Sequence, residues 1–242
     1  MRLVKTLIKQ SLARFNIDCT INAFIEPVTA LQNLVNNTKP VIVDVGAHRG
    51  ETYQVFRTHF PDASLHLVEP FPASMEALHS VSKGDEHCSL HDFALSKQNG
   101  TTTLFVNDSD ATNSLYPLEE NAAKNWQVAS LQEREQISVE VKTLDDLAKE
   151  NGIETIDILK LDVQGAEMDV LLGAQRLLNA KKIHLIQMEH IVESTYQTQQ
   201  PLHSYLEFLT DKDYRLVDFY KPIRRNGKLL QFDLLFAANL TQ

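Results

Sequence analysis

The chain has 242 residues, with 32 acidic against 23 basic side chains and a formal net charge of −9. That balance argues against a protein whose main task is gripping nucleic-acid phosphates, which is done by clustered Lys and Arg, so no nucleic-acid partner is expected. At 43% hydrophobic and 23% charged residues the composition suits a globular domain with a short extension, and no apolar stretch approaches membrane-spanning length.

At the N-terminus, Val4, Leu7, Ile8, Leu12 and Phe15 recur at helical spacing, with Arg2, Lys5, Lys9 and Arg14 spread among them. The dispersed charge is wrong for a signal peptide. The stripe predicts an amphipathic helix that packs on its own domain; pairing with a second subunit or contact with an anionic membrane surface are the lesser alternatives. Residues 22–38 read as a further helix and linker. The chain therefore divides into an N-terminal helical extension over 1–39 and a domain over 40–242. Its two cysteines, Cys19 and Cys88, form neither a metal spacing nor a disulfide framework and fit a reducing, cytoplasmic setting.

From Val41 the pattern alternates strand and helix. The apolar run Val41 to Val45 suits a buried parallel strand, and it stops at a loop whose Gly46 and Gly50 suit a tight turn with backbone close to a ligand. Glu51 to Phe60 reads as a helix ended by Pro61-Asp62. Nineteen positions beyond Gly50, the strand Ser64 to Val68 ends at Glu69, and an acid at that place can bind the two hydroxyls of a ribose. Pro72 to Val81 is a helix with proline in its first turn, and Cys88 to Leu95 is a third strand.

The Thr-rich segment Gly100 to Val106 and Ile137 to Lys142 are β-prone and predict an antiparallel insertion. The polar stretch Asn107 to Arg134 between them reads as a loop with a helix. Thr143 N-caps the next helix, with Asp145 and Asp146 in its first turn. Ile156 to Leu161 is a strand ending at Asp162, and Val170, Leu171, Ala174, Leu177 and Leu178 predict one helix with a buried stripe. Ile183 to Met188 is a strand ending at Glu189-His190, followed by a helix from about Pro201 to Thr210. Two β-like runs around Asn226-Gly227 close the chain as a hairpin. The sum is an α/β, Rossmann-like, doubly wound and mostly parallel sheet, with an antiparallel C-terminal hairpin strand.

The loop chemistry narrows the cofactor. Dinucleotide and P-loop motifs need closely spaced glycines, or Lys with Ser/Thr, to meet phosphates; here His48 stands two places after Gly46 and the phosphate machinery is missing. A D-x-G-x-x-x-G loop without it suits S-adenosylmethionine, with the loop amides facing its carboxylate, Asp44 near its ammonium and Glu69 on the ribose.

Asp44-Val45-Gly46-Ala47-His48-Arg49-Gly50, Val68-Glu69-Pro70, Phe93-Ala94-Leu95-Ser96, Val141 to Leu147, Leu159 to Glu167 and Asp233-Leu234-Leu235-Phe236 occur in an order that resembles the FkbM family of methyltransferases. The resemblance covers residues 41–237; His48 departs from it, since the family usually carries Asn there. It implies a class I methyltransferase fold and S-adenosylmethionine-dependent O-methylation of a saccharide, glycan or natural-product hydroxyl. Position by position, it implies that Asp44, Gly46 and Ala47, with His48 and Gly50 in the same loop, line the methionine end. Glu69 and Pro70 would meet the ribose, Asp92 and Ala94 the adenine, and Asp162 the edge between donor and acceptor.

Methyl transfer to a hydroxyl needs in-line placement and a base for the proton. The candidates for that base are Asp162, Glu189 and His190, at strand ends beside the cofactor. Asn113, Ser114, Gln164 and Glu167 are candidates for holding the acceptor. Lys160, inside a strand, suits pairing with a buried carboxylate. The histidines show no ligand pattern, and no metal is assigned. A dehydrogenase or nucleic-acid methyltransferase on the same scaffold, and a non-catalytic S-adenosylmethionine-binding protein, stand as the competing classes.

Overall fold

The structure is a computed structural model that describes residues 26–128 and 131–238; the stripe from Val4 to Phe15 and Cys19 lie outside the described residues. The first described helix, α1 (Pro27–Leu34), begins with proline at its first turn, where a missing N–H costs nothing. It docks through Leu31, which is fully buried against the core.

The main sheet contains β1 (Val41–Val45), β2 (Ser64–Val68), β3 (Cys88–His91), β7 (Ile156–Leu161), β8 (Ile183–Ile191), β9 (Tyr214–Arg225) and β10 (Lys228–Ala238). Their order is β3-β2-β1-β7-β8-β10-β9. The first five in that order run parallel, while β10 enters antiparallel between β8 and β9. Every residue of β7 is buried, because helices cover both faces of a parallel sheet and leave its centre no wet side. Asn226 and Gly227 both have positive φ, +50° and +80°, which a two-residue hairpin turn matched to strand twist requires.

Two apolar layers sandwich the sheet. One packs α2 (Glu51–His59) and α3 (Pro72–Val81) through Tyr53, Phe56, Met75 and Leu78. The other packs α5 (Leu144–Glu150), α6 (Glu167–Leu172), α7 (Gln175–Asn179) and α8 (Leu202–Thr210) through Leu147, Val170, Leu177 and Tyr205. Thr143 caps α5 as its sequence predicts, its Oγ accepting from the Asp146 N–H at 3.1 Å.

Two expectations need correction. The stretch from Cys88 to Leu95 is not one strand: β3 stops at His91, opposite the last residue of β2. The chain then turns and sends β4 (Ala94–Leu95) into a separate three-stranded sheet. There β4 lies parallel to β6 (Glu133–Lys142), and β6 pairs antiparallel with β5 (Gly100–Asn107), the expected insertion. Between β5 and β6 sits the short helix α4 (Ala122–Trp126), as the polar stretch predicts. The helix expected through Leu178 is broken at Gly173, where α6 ends. A Cβ there would sit 2.2 Å from the Ser96 carbonyl oxygen, so contact with the segment after β4 sets the break.

Candidate active site at the carboxyl ends of the strands

The loop after β1 is built by residues in left-handed backbone: Gly46, His48 and Gly50 have φ of +80°, +48° and +93°. At Gly46 the conformation is enforced by crowding, since a Cβ would lie 1.9 Å from the Asp162 carbonyl oxygen. The Gly46 and Ala47 N–H groups both donate to the Val68 carbonyl, at 3.0 and 3.1 Å. Glu69 completes the seam: it accepts from the His48 N–H at 2.9 Å and the Phe71 N–H at 2.8 Å. Of the loop amides expected to face a ligand carboxylate, those of Gly46, Ala47 and His48 are corrected: they hold the loop to the tip of β2. Burial raises the Glu69 carboxyl above the ordinary range, opposed by the two amide hydrogen bonds.

Above this seam lies a cavity of about 540 Å³, within the size range of small-molecule sites. Gly46, Ala47, His48, Glu69 and Pro70 line one end, and Ala94, Leu95 and Leu104 form an apolar wall beside them. Asp162, Gln164 and Glu189 line the floor beyond, and Asn113 and Ser114 descend from the insertion.

The floor is one hydrogen-bonded unit. The Gln164 amide nitrogen donates to Asp162 Oδ1 at 2.9 Å and Glu189 Oε2 at 3.0 Å, while the Gln231 amide donates to Glu189 Oε1 at 2.7 Å. Tyr196 Oη lies 3.0 Å from Gln164 Oε1 and 2.9 Å from the Thr112 carbonyl. Beneath them Lys160 Nζ bonds Asp44 Oδ1 at 3.0 Å and approaches Asp162 Oδ2 at 3.5 Å. Burial works to lower the Lys160 pKa, but the charges of Asp44 and Asp162 outweigh it and raise it, so the ammonium is kept. Burial, then the charges of Asp162, Glu167 and Asp233, raise Glu189 well above the usual carboxylate range. A raised carboxyl on a cavity floor has the properties of a proton acceptor for a hydroxyl.

The insertion closes the cavity from above. Its 3₁₀ turn, Asp110–Thr112, places Asp110 Oδ1 3.1 Å from His48 Nε2 and Oδ2 3.0 Å from Arg49 Nε. Ser114 Oγ donates to the Gln164 carbonyl at 2.7 Å and accepts from the Tyr116 N–H, so this hydroxyl fixes the insertion to the floor. Asn113 Oδ1 accepts from the Asn107 N–H at 2.9 Å, and its buried Nδ2 has no partner among the described residues.

Five sequence-predicted residues lie off the cavity. His190 is corrected outright. Successive side chains of a strand point to opposite faces, so with Glu189 on the cavity side His190 faces the core, edge-on to the rings of Tyr205 and Phe232 at 5.6 and 5.5 Å. Burial pushes its pKa down to about 4. Glu167 Oε1 accepts from the Val163 and Gly165 N–H groups at 3.1 and 3.2 Å, which makes it a brace for the turn after β7; burial pushes it up to about 7. Asp92 is exposed, in the turn after β3. Gly50 is buried at the start of α2. Asp44 lies fully buried under the loop, with Oδ2 lacking a partner among the described residues. The sequence reading missed Tyr196, Gln231 and Asp110. Tyr196 and Asp110 sit in loops with no periodicity, while Gln231 stands as a polar side chain between Leu230 and Phe232.

The family model described as Methyltransferase FkbM domain matches residues 44–216. The 2-O-methyltransferase NoeI of Sinorhizobium fredii (strain NBRC 101917 / NGR234) is 30% identical over 191 residues, covering 73% of this chain and 74% of that protein. Methyltransferase 1 of Beauveria bassiana (strain ARSEF 2860) is 32% identical over 148 residues, 54% of this chain and 57% of its own length. Among solved structures, an FkbM methyltransferase from Methylobacillus flagellatus KT superposes with a TM-score of 0.53 at 13% identity. That alignment covers 82% of this chain, which spans 44% of the other. The chain thus belongs to the FkbM methyltransferase family and has its class I methyltransferase fold.

Proposed function

We propose that this protein is an S-adenosylmethionine-dependent O-methyltransferase acting on a hydroxyl of a saccharide, glycan or other small natural product. The observation that carries this reading is one cavity lined both by Glu69, where a ribose-binding acid is expected, and by the hydrogen-bonded Asp162, Gln164 and Glu189, where a base is expected. The residues present fit that cofactor. Glu69 keeps free lone pairs for a ribose diol, and Ala94 and Leu95 offer an apolar wall to a base. Among the described residues, no cluster of phosphate-binding glycines or lysines lines this cavity.

When bound, S-adenosylmethionine supplies a methyl group already activated on a sulfonium. The chain's residues have two remaining tasks. Gln164, fixed by Tyr196 and Ser114, holds the two floor carboxylates at set positions. Glu189 accepts the hydroxyl proton as the oxygen attacks, a contribution of roughly 10²–10⁴-fold in rate. Its raised pKa makes it a stronger base than an exposed glutamate. The relative NoeI, named a 2-O-methyltransferase, supports oxygen as the acceptor atom. The acid-rich floor and net charge of −9 favour a small acceptor over a nucleic acid.

Isothermal titration with S-adenosylmethionine and with NAD tests the cofactor, and binding of NAD in place of S-adenosylmethionine overturns the reading. Release of S-adenosylhomocysteine in the presence of a saccharide panel separates an enzyme from a non-catalytic binder.

A further inference from the structure

β9 is the terminal strand of the main sheet, with β10 as its one neighbour. An outer strand shows a row of backbone N–H and C=O groups that invites a further strand. In β9 that invitation is blunted. The Phe219 N–H donates to the neighbouring side chain, Asp218 Oδ1, at 2.8 Å. Pro222 has no N–H to give, and the pairing with β10 shifts register three times. The side chains, by contrast, are left open: Leu216, Val217, Phe219 and Ile223 are 38–56% exposed. Between Tyr214 and Leu229 stand five bases, Arg215, Lys221, Arg224, Arg225 and Lys228, against one acid, Asp218, in a chain whose net charge is −9. Arg225 is engaged by the Gln127 carbonyl at 2.8 Å, and Lys221 stands 3.9 Å from Asp233. Arg215, Arg224 and Lys228 are exposed and make no ion pair among the described residues.

We propose that this sheet edge is a docking surface for an anionic lipid bilayer, with the bases at the headgroups and the four apolar side chains reaching between them. The inference is independent of the catalytic assignment. Three observations support it. The first is charge. An acidic molecule is repelled as a whole by an anionic surface, so contact needs a local excess of bases, and β9 with its hairpin turn carries one. Lys and Arg held within a Debye length of an anionic leaflet are drawn to it. The second is that the apolar side chains lie on both faces of the sheet. Phe219 packs edge-on to Phe232 at 6.0 Å, in the layer of α8, whereas Ile223 lies beside α1 and α2. A folded partner lays a complementary patch against one face; a fluid interface closes around an edge from both sides and needs no matching shape. The third is the blunted backbone, which opposes strand addition by a second copy or an extended peptide and leaves the side chains to make the contact. Bases interleaved with apolar side chains are the combination that holds amphipathic segments in the headgroup region.

The test uses the full chain and sedimentation with two kinds of vesicle: phosphatidylcholine alone, and phosphatidylcholine with phosphatidylglycerol as a third of the lipid. Binding to the mixed vesicles should be at least tenfold tighter and should weaken as salt is raised. Arg224→Glu combined with Lys228→Glu, both at exposed positions, should lower it at least tenfold with little change in melting temperature. Phe219→Ser should lower it several-fold. Phe219→Trp adds a second indole to the lone Trp126. Bromine-labelled acyl chains should quench the new indole and leave the wild-type emission unchanged, a readout that loss of stability does not produce. The proposal is overturned if the mixed vesicles bind no more tightly than the neutral ones, or if the new indole is not quenched. It is also overturned if binding survives the Arg224→Glu and Lys228→Glu pair but is lost in Lys5→Glu with Lys9→Glu, which would put the contact in the stripe from Val4 to Phe15. A chain that sediments as a dimer without vesicles, and as a monomer once Phe219→Ser is made, would overturn it too by assigning the edge to a second copy.

Discussion

Asp44 and Lys160 face each other as direct partners across the parallel strands β1 and β7, with Lys160 Nζ 3.0 Å from Asp44 Oδ1. Removing one member of a buried ion pair strands the other's charge, typically at about 3–5 kcal/mol. Lys160→Met should therefore lower stability by that order in urea unfolding. Asp44→Asn should cost less, because Lys160 keeps Asp162 nearby. A Lys160→Met loss below about 1 kcal/mol would show that the pair does not hold the strand ends together.

Gly46 separates crowding from glycine's general freedom. Its φ of +80° and the Asp162 carbonyl oxygen 1.9 Å from any Cβ leave no room for an alanine methyl. Gly46→Ala is expected to abolish S-adenosylmethionine binding and to lower the melting temperature. Gly84 shares a left-handed backbone, with a φ of +83°, but a Cβ there meets nothing within 4 Å. Gly84→Ala should therefore show only the left-handed backbone penalty of about 1–2 kcal/mol, and equal losses at the two positions in thermal unfolding would sink the crowding argument.

Glu69 serves the loop as well as the ligand. Glu69→Ala should weaken S-adenosylmethionine binding at least tenfold, about 1.4 kcal/mol. It should also destabilise the protein by about 1–3 kcal/mol, since two backbone amides lose their acceptor. Unchanged affinity by calorimetry would remove the ribose assignment.

The contact of Asp110 with His48 and Arg49 fastens the insertion over the cavity. Asp110→Ala should raise the dissociation rate of S-adenosylmethionine several-fold in stopped-flow experiments. The melting temperature should change little, because the contact lies at the surface. An unaltered rate would show that the insertion does not gate the cofactor.

Glu167 carries a carboxyl pushed up to about 7 by burial. Its pKa is higher folded than unfolded, so its contribution is fully present below the unfolded value near 4.5. That contribution is lost as pH rises towards about 7, at up to about 1.4 kcal/mol per pH unit. Glu167→Gln keeps an acceptor oxygen for Val163 and Gly165. The difference in stability between wild type and variant should slope across pH 4.5–7 and level off on either side. A flat difference would show that Glu167 does not titrate in that window.

The glycine loop, Glu69 and the β7 block were legible in the sequence, because local rules fix them. Apolar runs of strand length, glycines where φ must be positive and an acid at a strand tip carry their meaning within a few residues. The period-two alternation of β8 also held the answer for His190: with Glu189 on the cavity face, its neighbour had to point into the core. The tertiary structure alone decided the rest. Asp44 meets Lys160 across 116 positions and Asp110 meets His48 across 62. Such contacts depend on strand register and sheet order, which are set by the packing of whole layers and leave no mark in the spacing of nearby residues.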